Sequence, residues 1–163
     1  MLTVLSILYL FTKIKEKRIN MADIIVLSGQ INSGKTTTLR RLFGRLRNLQ
    51  DVVVRFESEF NQGGDFIAII EVSGRTIGFI SGGDYIEDFR NQFNEISRHN
   101  VDVLICASRS KNTENSVYNF LFENLPEGNR VVLCLSTFPT NNLDMMSNNI
   151  TEAIILYLNG MNF

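Results

Sequence analysis

The amino-acid sequence predicts a single α/β domain with a mainly parallel sheet of about five or six strands, helices on both faces and one β-hairpin. Short apolar segments rich in Val and Ile alternate with segments whose apolar residues recur at helical spacing. Two apolar runs flank Ser73-Gly74 directly, which is typical of a hairpin. The length of 163 residues suits one domain with a sizeable core.

The predicted strands are short apolar runs bounded by turn residues, as expected for strands buried on both faces. Each run is too short for a helix, and the segments between them carry the helical pattern. The predicted strands are residues 22–29, 51–58, the two arms of the hairpin within 65–81, 101–108 and 130–137.

The predicted helices have apolar residues spaced three and four apart, which places them on one helix face. The first begins at Gly34, the second occupies residues 85–99, and the third, 116–125, is closed by Pro126 and Gly128. The fourth occupies residues 143–160 and stops at Gly160. The residues predicted to face inward are Leu39, Leu42, Leu46 and Leu49 in the first helix, Ile86, Phe89, Phe93 and Ile96 in the second, and Leu143, Met146, Ile150, Ile154 and Tyr157 in the fourth.

Residues 1–20 differ from the rest of the chain, and we expect the packed domain to be residues 21–163. The first eleven residues are mostly apolar and are followed by a basic stretch. A bilayer-spanning helix needs about 20 apolar residues, and a signal peptide carries its positive charges ahead of the apolar run. Three interpretations stay open: translation starting at Met21, a membrane-surface anchor, or an extra amphipathic helix. Membrane contact is expected only if residues 1–20 are retained.

Composition narrows the function classes. The net charge of −1 gives no global field that would attract nucleic acid. Cys106 and Cys134 lie inside apolar runs, so we expect buried free thiols in a reducing compartment, the cytoplasm. Neither cysteine belongs to a CxxC pair and the chain has one histidine, which argues against a Cys/His zinc site.

The segment between the first predicted strand and the first predicted helix matches the pattern G-x-x-x-x-G-K-[ST]. Glycines allow a loop to wrap an anion, and the loop N–H groups then point toward it together with the start of the helix. The residues expected to contact phosphates are Gly29, Gln30, Ile31, Asn32, Ser33, Gly34, Lys35, Thr36 and Thr37.

At this motif, and more generally in its order of strands and helices, the chain resembles the P-loop (Walker A) NTPase superfamily. The resemblance implies a P-loop nucleotide-binding domain in residues 21–163, with Mg²⁺ and ATP or GTP as cofactors. Lys35 would reach the β- and γ-phosphates as a catalytic residue, and the Thr36 hydroxyl would bind Mg²⁺. The guanine-reading N-K-x-D signature is absent after residues 101–108 and 130–137, which favours ATP.

Asp84 is the candidate for a second magnesium ligand. Ligands in open α/β sheets bind at the carboxyl ends of strands, and Ser81-Gly82-Gly83-Asp84 follows the hairpin's second arm. This segment resembles the acidic, glycine-containing switch of GTPases, except that here the glycines precede the aspartate. The two glycines would let the backbone approach the γ-phosphate. The alternative is that Asp84 caps the following helix.

Other strand-end residues are candidates for catalysis. Glu57 is a candidate base or water-positioning group, as is Glu59, and the alternative for both is a solvated loop charge. Arg109 is a candidate for stabilising charge on the transferred phosphoryl group, the alternative being contact with solvent only. Further candidates for contact with the nucleotide are Ser58, Ser108, Lys111, Ser136 and Thr137.

The first helix also carries four arginines between its inward-facing leucines, at positions 40, 41, 45 and 47. They are interpreted as a solvated face, with a binding patch for an acidic partner as the alternative.

Three functions remain. The first is a Mg²⁺-dependent nucleoside triphosphate hydrolase or switch, favoured because glycines near the γ-phosphate suit a loop that reorders. The second is a phosphotransferase that uses a small-molecule acceptor such as a nucleoside or nucleotide. The third is a non-catalytic module that binds nucleotide or a protein partner. The sequence does not indicate an oligomeric state.

Overall fold

A computed structural model describes residues 23–60, 64–109, 115–124, 129–135 and 142–161. The predicted extension at residues 1–20 lies outside the described residues, as do Lys111, Ser136 and Thr137. The described strands are β1 (Asp23–Gly29), β2 (Val52–Phe60), β3 (Asp65–Val72), β4 (Arg75–Ile80), β5 (Val103–Ser108) and β6 (Asn129–Leu135). The described helices are α1 (Lys35–Arg47), α2 (Ile86–Ser97), α3 (Val117–Asn124) and α4 (Leu143–Gly160).

The six strands form one sheet in the order β2-β3-β4-β5-β1-β6. The pairs β4–β5, β5–β1 and β1–β6 are parallel, whereas β2–β3 and β3–β4 are antiparallel. The prediction of a mainly parallel sheet is therefore wrong: the fold is α/β with a mixed sheet, in which the first strands after α1 form an antiparallel meander. The predicted hairpin is confirmed, with Ser73 and Gly74 both at positive φ in its two-residue turn.

The error has a physical reason. Parallel neighbours require a crossover of about a dozen residues or more. Only the short segment 61–64 joins β2 to β3, so the two strands can only turn back on each other. A register shift between Val54 and Phe56 then changes which face of the sheet each β2 side chain occupies. Val52 and Val54 pack on one face, and Phe56 and Phe60 pack on the other.

Two helices cover each face of the sheet, as predicted. One core cluster joins the sheet to α1 and α4, and the other joins it to α2 and α3. The helical spacing identified most inward residues, including Leu39 and Phe93. Leu49 is the exception: α1 ends at Arg47, and Leu49 is 52% exposed. In the part of the chain that the structure describes, no helix has the length and apolarity needed to cross a membrane.

Candidate functional site

The loop from β1 to α1 wraps around the ammonium group of Lys35. Asn32 and Gly34 adopt left-handed backbone conformations, with φ of 58° and 84°. Lys35 is the first residue of α1, yet its Nζ returns to the start of the loop. It donates hydrogen bonds to the carbonyl oxygens of Gly29 at 3.0 Å and Gln30 at 2.7 Å. The side chain of Lys35 therefore folds back across the loop, and its buried ammonium is bound by the backbone at the start of the loop.

The same loop presents hydrogen-bond donors at the start of α1. The first N–H groups of a helix have no partner within that helix, and the helix dipole makes this end positive. No acidic residue lies in the first turn of α1. Ser33 is fully buried, and its Oγ has no hydrogen-bond partner among the described residues. This end of α1 has the charge and the donors to hold an anion.

Lys35 is the electrostatic centre of the site. Burial lowers the pKa of its ammonium group, because desolvation penalises the charged form. The Asp84 carboxylate acts in the opposite direction and raises this pKa, Arg109 lowers it, and Asp65 raises it. These three side chains are therefore close enough to Lys35 to influence its charge, although they come from three different parts of the chain.

Thr36, the predicted magnesium ligand, contacts the carboxylate of Asp65, which was not among the predicted site residues. Its Oγ1 donates a hydrogen bond to Asp65 Oδ1 at 3.0 Å. Ser81 Oγ donates to the same carboxylate oxygen at 3.3 Å and accepts from the Phe66 N–H at 2.8 Å. Asp65 is thus held beside the first turn of α1 by both the hydroxyl of Thr36 and the end of β4.

Asp65 was not predicted as a site residue because it precedes its strand, whereas the predicted candidates follow theirs. In an antiparallel strand the direction reverses, so the first residue of β3 lies at the edge where the parallel strands end. Three strand spacings, about 14 Å, separate β3 from β1 in the sheet order. The first turn of α1 bridges them, because the Thr36 hydroxyl reaches Asp65. The short 61–64 connection was the signal in the sequence that would have revealed this arrangement.

Asp84 and Arg109 form an ion pair at the same edge, with Arg109 Nε 3.1 Å from Asp84 Oδ1. The alternative of Asp84 as a helix cap is wrong, because Tyr85 occupies the N-cap position of α2 and no side chain caps it. The predicted metal role of Asp84 stays a prediction, as does the catalytic role of Arg109. Both residues lie near Lys35, in agreement with their predicted position.

The glycines before Asp84 serve packing inside the protein. A Cβ on Gly83 would lie 2.1 Å from the carbonyl oxygen of Ala107, and one on Gly82 would lie 2.9 Å from Gln92 Nε2. The close approach at Gly83 is to the backbone of β5. Close packing therefore explains the presence of these glycines. The expectation that they open space for a γ-phosphate stays a prediction.

Glu57 lies away from the loop. Its carboxylate faces α1 and forms an exposed ion pair with Arg47, at 3.2 Å. Arg47 is the last residue of α1, and Lys35 is the first, so the two ends are about 18 Å apart along the helix axis. The structure thus brings Lys35, Asp84 and Arg109 together and leaves Glu57 outside the cluster.

The remaining arginines of α1 are also engaged within the chain. Arg40 pairs with Glu59, Arg41 with Asp144 and Arg45 with Glu152. This pairing favours the interpretation as a solvated face over a patch for an acidic partner.

The described part of the chain contains a cavity on each face of the sheet. The larger, about 790 Å³, lies between β2, β3, α2 and residues 82–85, and includes Asp65 and Asp84 in its lining. The smaller, about 250 Å³, is formed by the first turns of α4. Met146 lines it and also lies within 4.0 Å of the position that a Cβ on Gly34 would occupy. The smaller cavity therefore adjoins the loop, and the larger lies beside Asp65 and Asp84.

Comparison with known proteins finds no matching family model, no similar curated protein and no similar solved structure. Among the described residues, no group of three or more His, Cys, Asp or Glu side chains is arranged to hold a metal ion. The candidate site therefore stands on its own geometry: a buried lysine inside a loop, a threonine–aspartate pair and an aspartate–arginine pair.

Proposed function

We propose that the chain binds a nucleoside triphosphate with Mg²⁺ through residues 29–37. The observation that carries this proposal is the position of Lys35. Its ammonium group is held by the carbonyl oxygens of Gly29 and Gln30, in the loop that precedes a helix. Burial of this cation is unfavourable and lowers its pKa, although the carboxylates of Asp84 and Asp65 act against the shift. Phosphate oxygens bound at the free N–H groups of α1 would compensate that cost.

The residues present fit a magnesium ion. Mg²⁺ is generally held by one or two protein ligands, water and the substrate phosphates, so it does not require a full cage of carboxylates. Thr36 Oγ1 and Asp65 Oδ1, 3.0 Å apart, provide a hydroxyl and a carboxylate oxygen at the start of α1. When bound, Mg²⁺ would neutralise charge on the phosphates. Asp84 is the other candidate carboxylate.

The favoured reaction is hydrolysis of the terminal phosphoanhydride, with ATP favoured over GTP because the guanine-reading signature is absent. Lys35 would bind the charge of the phosphates, and Arg109 would stabilise the charge that develops on the transferred group. Water supplies the new P–O bond, the bond to the β-phosphate oxygen breaks, and the nucleoside diphosphate and phosphate leave. The buried free thiol of Cys106 agrees with the cytoplasm as the site of this activity.

The larger cavity favours a second candidate, transfer of the phosphoryl group to a small molecule. Its volume of about 790 Å³ lies within the range of about 300–1,000 Å³ of ligand pockets. Asp65 and Asp84 line it and also influence Lys35, so an acceptor there would lie beside the phosphates. An acceptor hydroxyl would then replace water and lose its proton to a carboxylate at this edge.

The binding proposal is tested by Lys35→Ala. Calorimetry with Mg²⁺ and ATP or GTP is expected to detect binding by the unmodified chain and none by the variant. Arg45→Ala is the matched control, since Arg45 lies on the same helix and pairs at the surface with Glu152. Equal affinity of Lys35→Ala and the unmodified chain would contradict the proposal.

The two reactions are separated by measuring phosphate release with and without candidate acceptors. Release that does not depend on an acceptor supports hydrolysis, and loss of the nucleotide's γ-phosphate to an acceptor supports transfer. Binding with neither reaction would leave a non-catalytic nucleotide-binding module.

A further inference from the structure

We propose that Tyr85 is a positioning residue: its ring holds the guanidinium group of Arg109 beside Lys35, where Arg109 acts on the phosphoryl group that is transferred. The inference deepens the proposed function and rests on it, because the phosphoryl group comes from the bound nucleotide. Tyr85 was not among the predicted site residues and lies outside residues 29–37.

The segment that carries Tyr85 lies directly against the end of the strand that precedes Arg109. The strands β4 and β5 are parallel neighbours. A Cβ on Gly83 would lie 2.1 Å from the carbonyl oxygen of Ala107, so no side chain fits between the two backbones there. This close packing fixes the start of residues 83–85 against β5. Tyr85 is thereby brought to Arg109.

The guanidinium group of Arg109 is held on two sides. Its Nε donates a hydrogen bond to Asp84 Oδ1 at 3.1 Å, and its Cζ lies 5.7 Å from the centre of the Tyr85 ring. An aromatic ring at that distance attracts a cation through its negative face. Among the described residues, Nη1 and Nη2 of Arg109 form no hydrogen bond or ion pair. The two contacts therefore orient the side chain and leave its terminal N–H groups for a ligand.

Neither core packing nor helix capping accounts for the ring of Tyr85. The residue is 68% exposed, which is high for such a large side chain. It occupies the N-cap position of α2 and forms no side-chain capping hydrogen bond there. Its contact with Arg109 is therefore the interaction that gives the ring a role at this edge of the sheet. Because the ring is exposed, it can be removed with little effect on stability.

Strand pairing places Arg109 beside the loop. In the parallel register of β1 and β5, Arg109 leaves its strand level with Gly29. The carbonyl oxygen of Gly29 accepts the hydrogen bond from Lys35 Nζ, at 3.0 Å. Arg109 is near enough to lower the pKa of Lys35, and the Asp84 carboxylate raises that pKa and offsets part of the repulsion. Two cations held side by side in this way suit the oxygens of a phosphoryl group, which accept hydrogen bonds from both.

The first test is the substitution Tyr85→Leu, which removes the ring and keeps an apolar side chain. At saturating Mg²⁺ and ATP, without an acceptor, phosphate release is expected to slow by about two- to fivefold, as for the loss of an exposed cation–π contact. The calorimetric affinity for ATP is expected to stay unchanged, because the contact acts on the transition state. Tyr85→Phe keeps the ring and is expected to release phosphate at the rate of the unmodified chain.

Two further variants show whether the effect acts through Arg109. Tyr118→Leu is the matched control, since the Tyr118 ring packs on Phe122 in α3, and it is expected to leave phosphate release unchanged. In a chain that carries Arg109→Ala, Tyr85→Leu is expected to cause no further loss, because the ring then has no guanidinium to hold. An equal loss in both backgrounds would overturn the inference.

A measurement without nucleotide separates this inference from the proposed function. The NMR resonance of the Arg109 Nε–H group is assigned by its absence in Arg109→Ala. Its exchange with water is expected to be about two- to fivefold faster in Tyr85→Leu than in the unmodified chain or in Tyr85→Phe. Equal exchange in all three chains, or equal phosphate release, would overturn the inference. Failure of the unmodified chain to bind nucleotide would contradict the proposed function instead, and the resonance would still report whether Tyr85 holds Arg109.

Discussion

The two halves of the sheet supply the candidate site by different routes. In the parallel half, Lys35 and Thr36 follow β1 directly, so the loop and its cation come from one continuous stretch of chain. In the antiparallel half, Asp65 reaches the same edge as the first residue of a strand that runs the opposite way. In a sheet with both parallel and antiparallel strands, one edge therefore contains the first residues of some strands and the last residues of others.

The largest expected effect concerns Gly83, where the segment after β4 crosses close to β5. In Gly83→Ala the new Cβ would lie 2.1 Å from the carbonyl oxygen of Ala107, so backbone must move. We expect the free energy of unfolding in urea to fall by about 2 kcal/mol or more.

Gly44→Ala is the control for this change. Gly44 lies within α1 with no atom within 4 Å of the added Cβ, so alanine there is expected to stabilise the fold by about 0.5–1 kcal/mol. If Gly83→Ala unfolds at the same urea concentration as the unmodified chain, the segment after β4 packs less tightly against β5 than described.

The next effect separates the two carboxylates. Asp65→Asn is expected to raise the Mg²⁺ concentration required for nucleotide binding by about tenfold or more, because Asp65 contacts the Thr36 hydroxyl. Asp84→Asn is expected to raise this concentration less, because Asp84 is paired with Arg109. Calorimetric titrations at several Mg²⁺ concentrations measure both. The reverse order would assign the metal role to Asp84, as the sequence predicts.

A smaller effect depends on pH and concerns Lys35, in the parallel half. Burial lowers the pKa of Lys35 below its usual 10.5, so the unfolded chain binds this proton more readily than the folded chain. The resulting cost to stability is fully present at neutral pH and disappears as the pH rises to 10.5. Lys35→Met removes this contribution.

The stability of Lys35→Met relative to the unmodified chain is therefore expected to be higher at pH 7 than near pH 10. Urea denaturation at the two pH values measures it. A difference that is independent of pH would show that burial does not affect the ammonium group.

The smallest effect is expected for Glu57→Gln in the antiparallel half. Glu57 and Arg47 form a surface pair, and such pairs contribute about 0–1 kcal/mol to stability. We expect nucleotide binding and phosphate release to stay unchanged, since Glu57 lies near the far end of α1 from Lys35. Loss of phosphate release in this variant would restore Glu57 as a catalytic candidate.

Much of the fold could be predicted because its signals are local. The β-branched runs and the helical spacing identified the strands and helices, and Ser73-Gly74 identified the hairpin. Leu49 was misassigned because α1 ends before it, with Asn48 at the C-cap. The antiparallel pairing of β2 with β3 was missed because strand patterns carry no information about which neighbour a strand pairs with.

The sequence by itself determined the loop, since the glycine, lysine and threonine that form it are adjacent in the chain and their spacing defines its geometry. It also determined that Lys35 would be central. Only the tertiary structure decided which acidic groups stand beside it. Asp65 is brought there by strand reversal, and Asp84 and Arg109 by pairing of β4 with β5. These contacts depend on strand order, which long-range packing selects and no local pattern encodes.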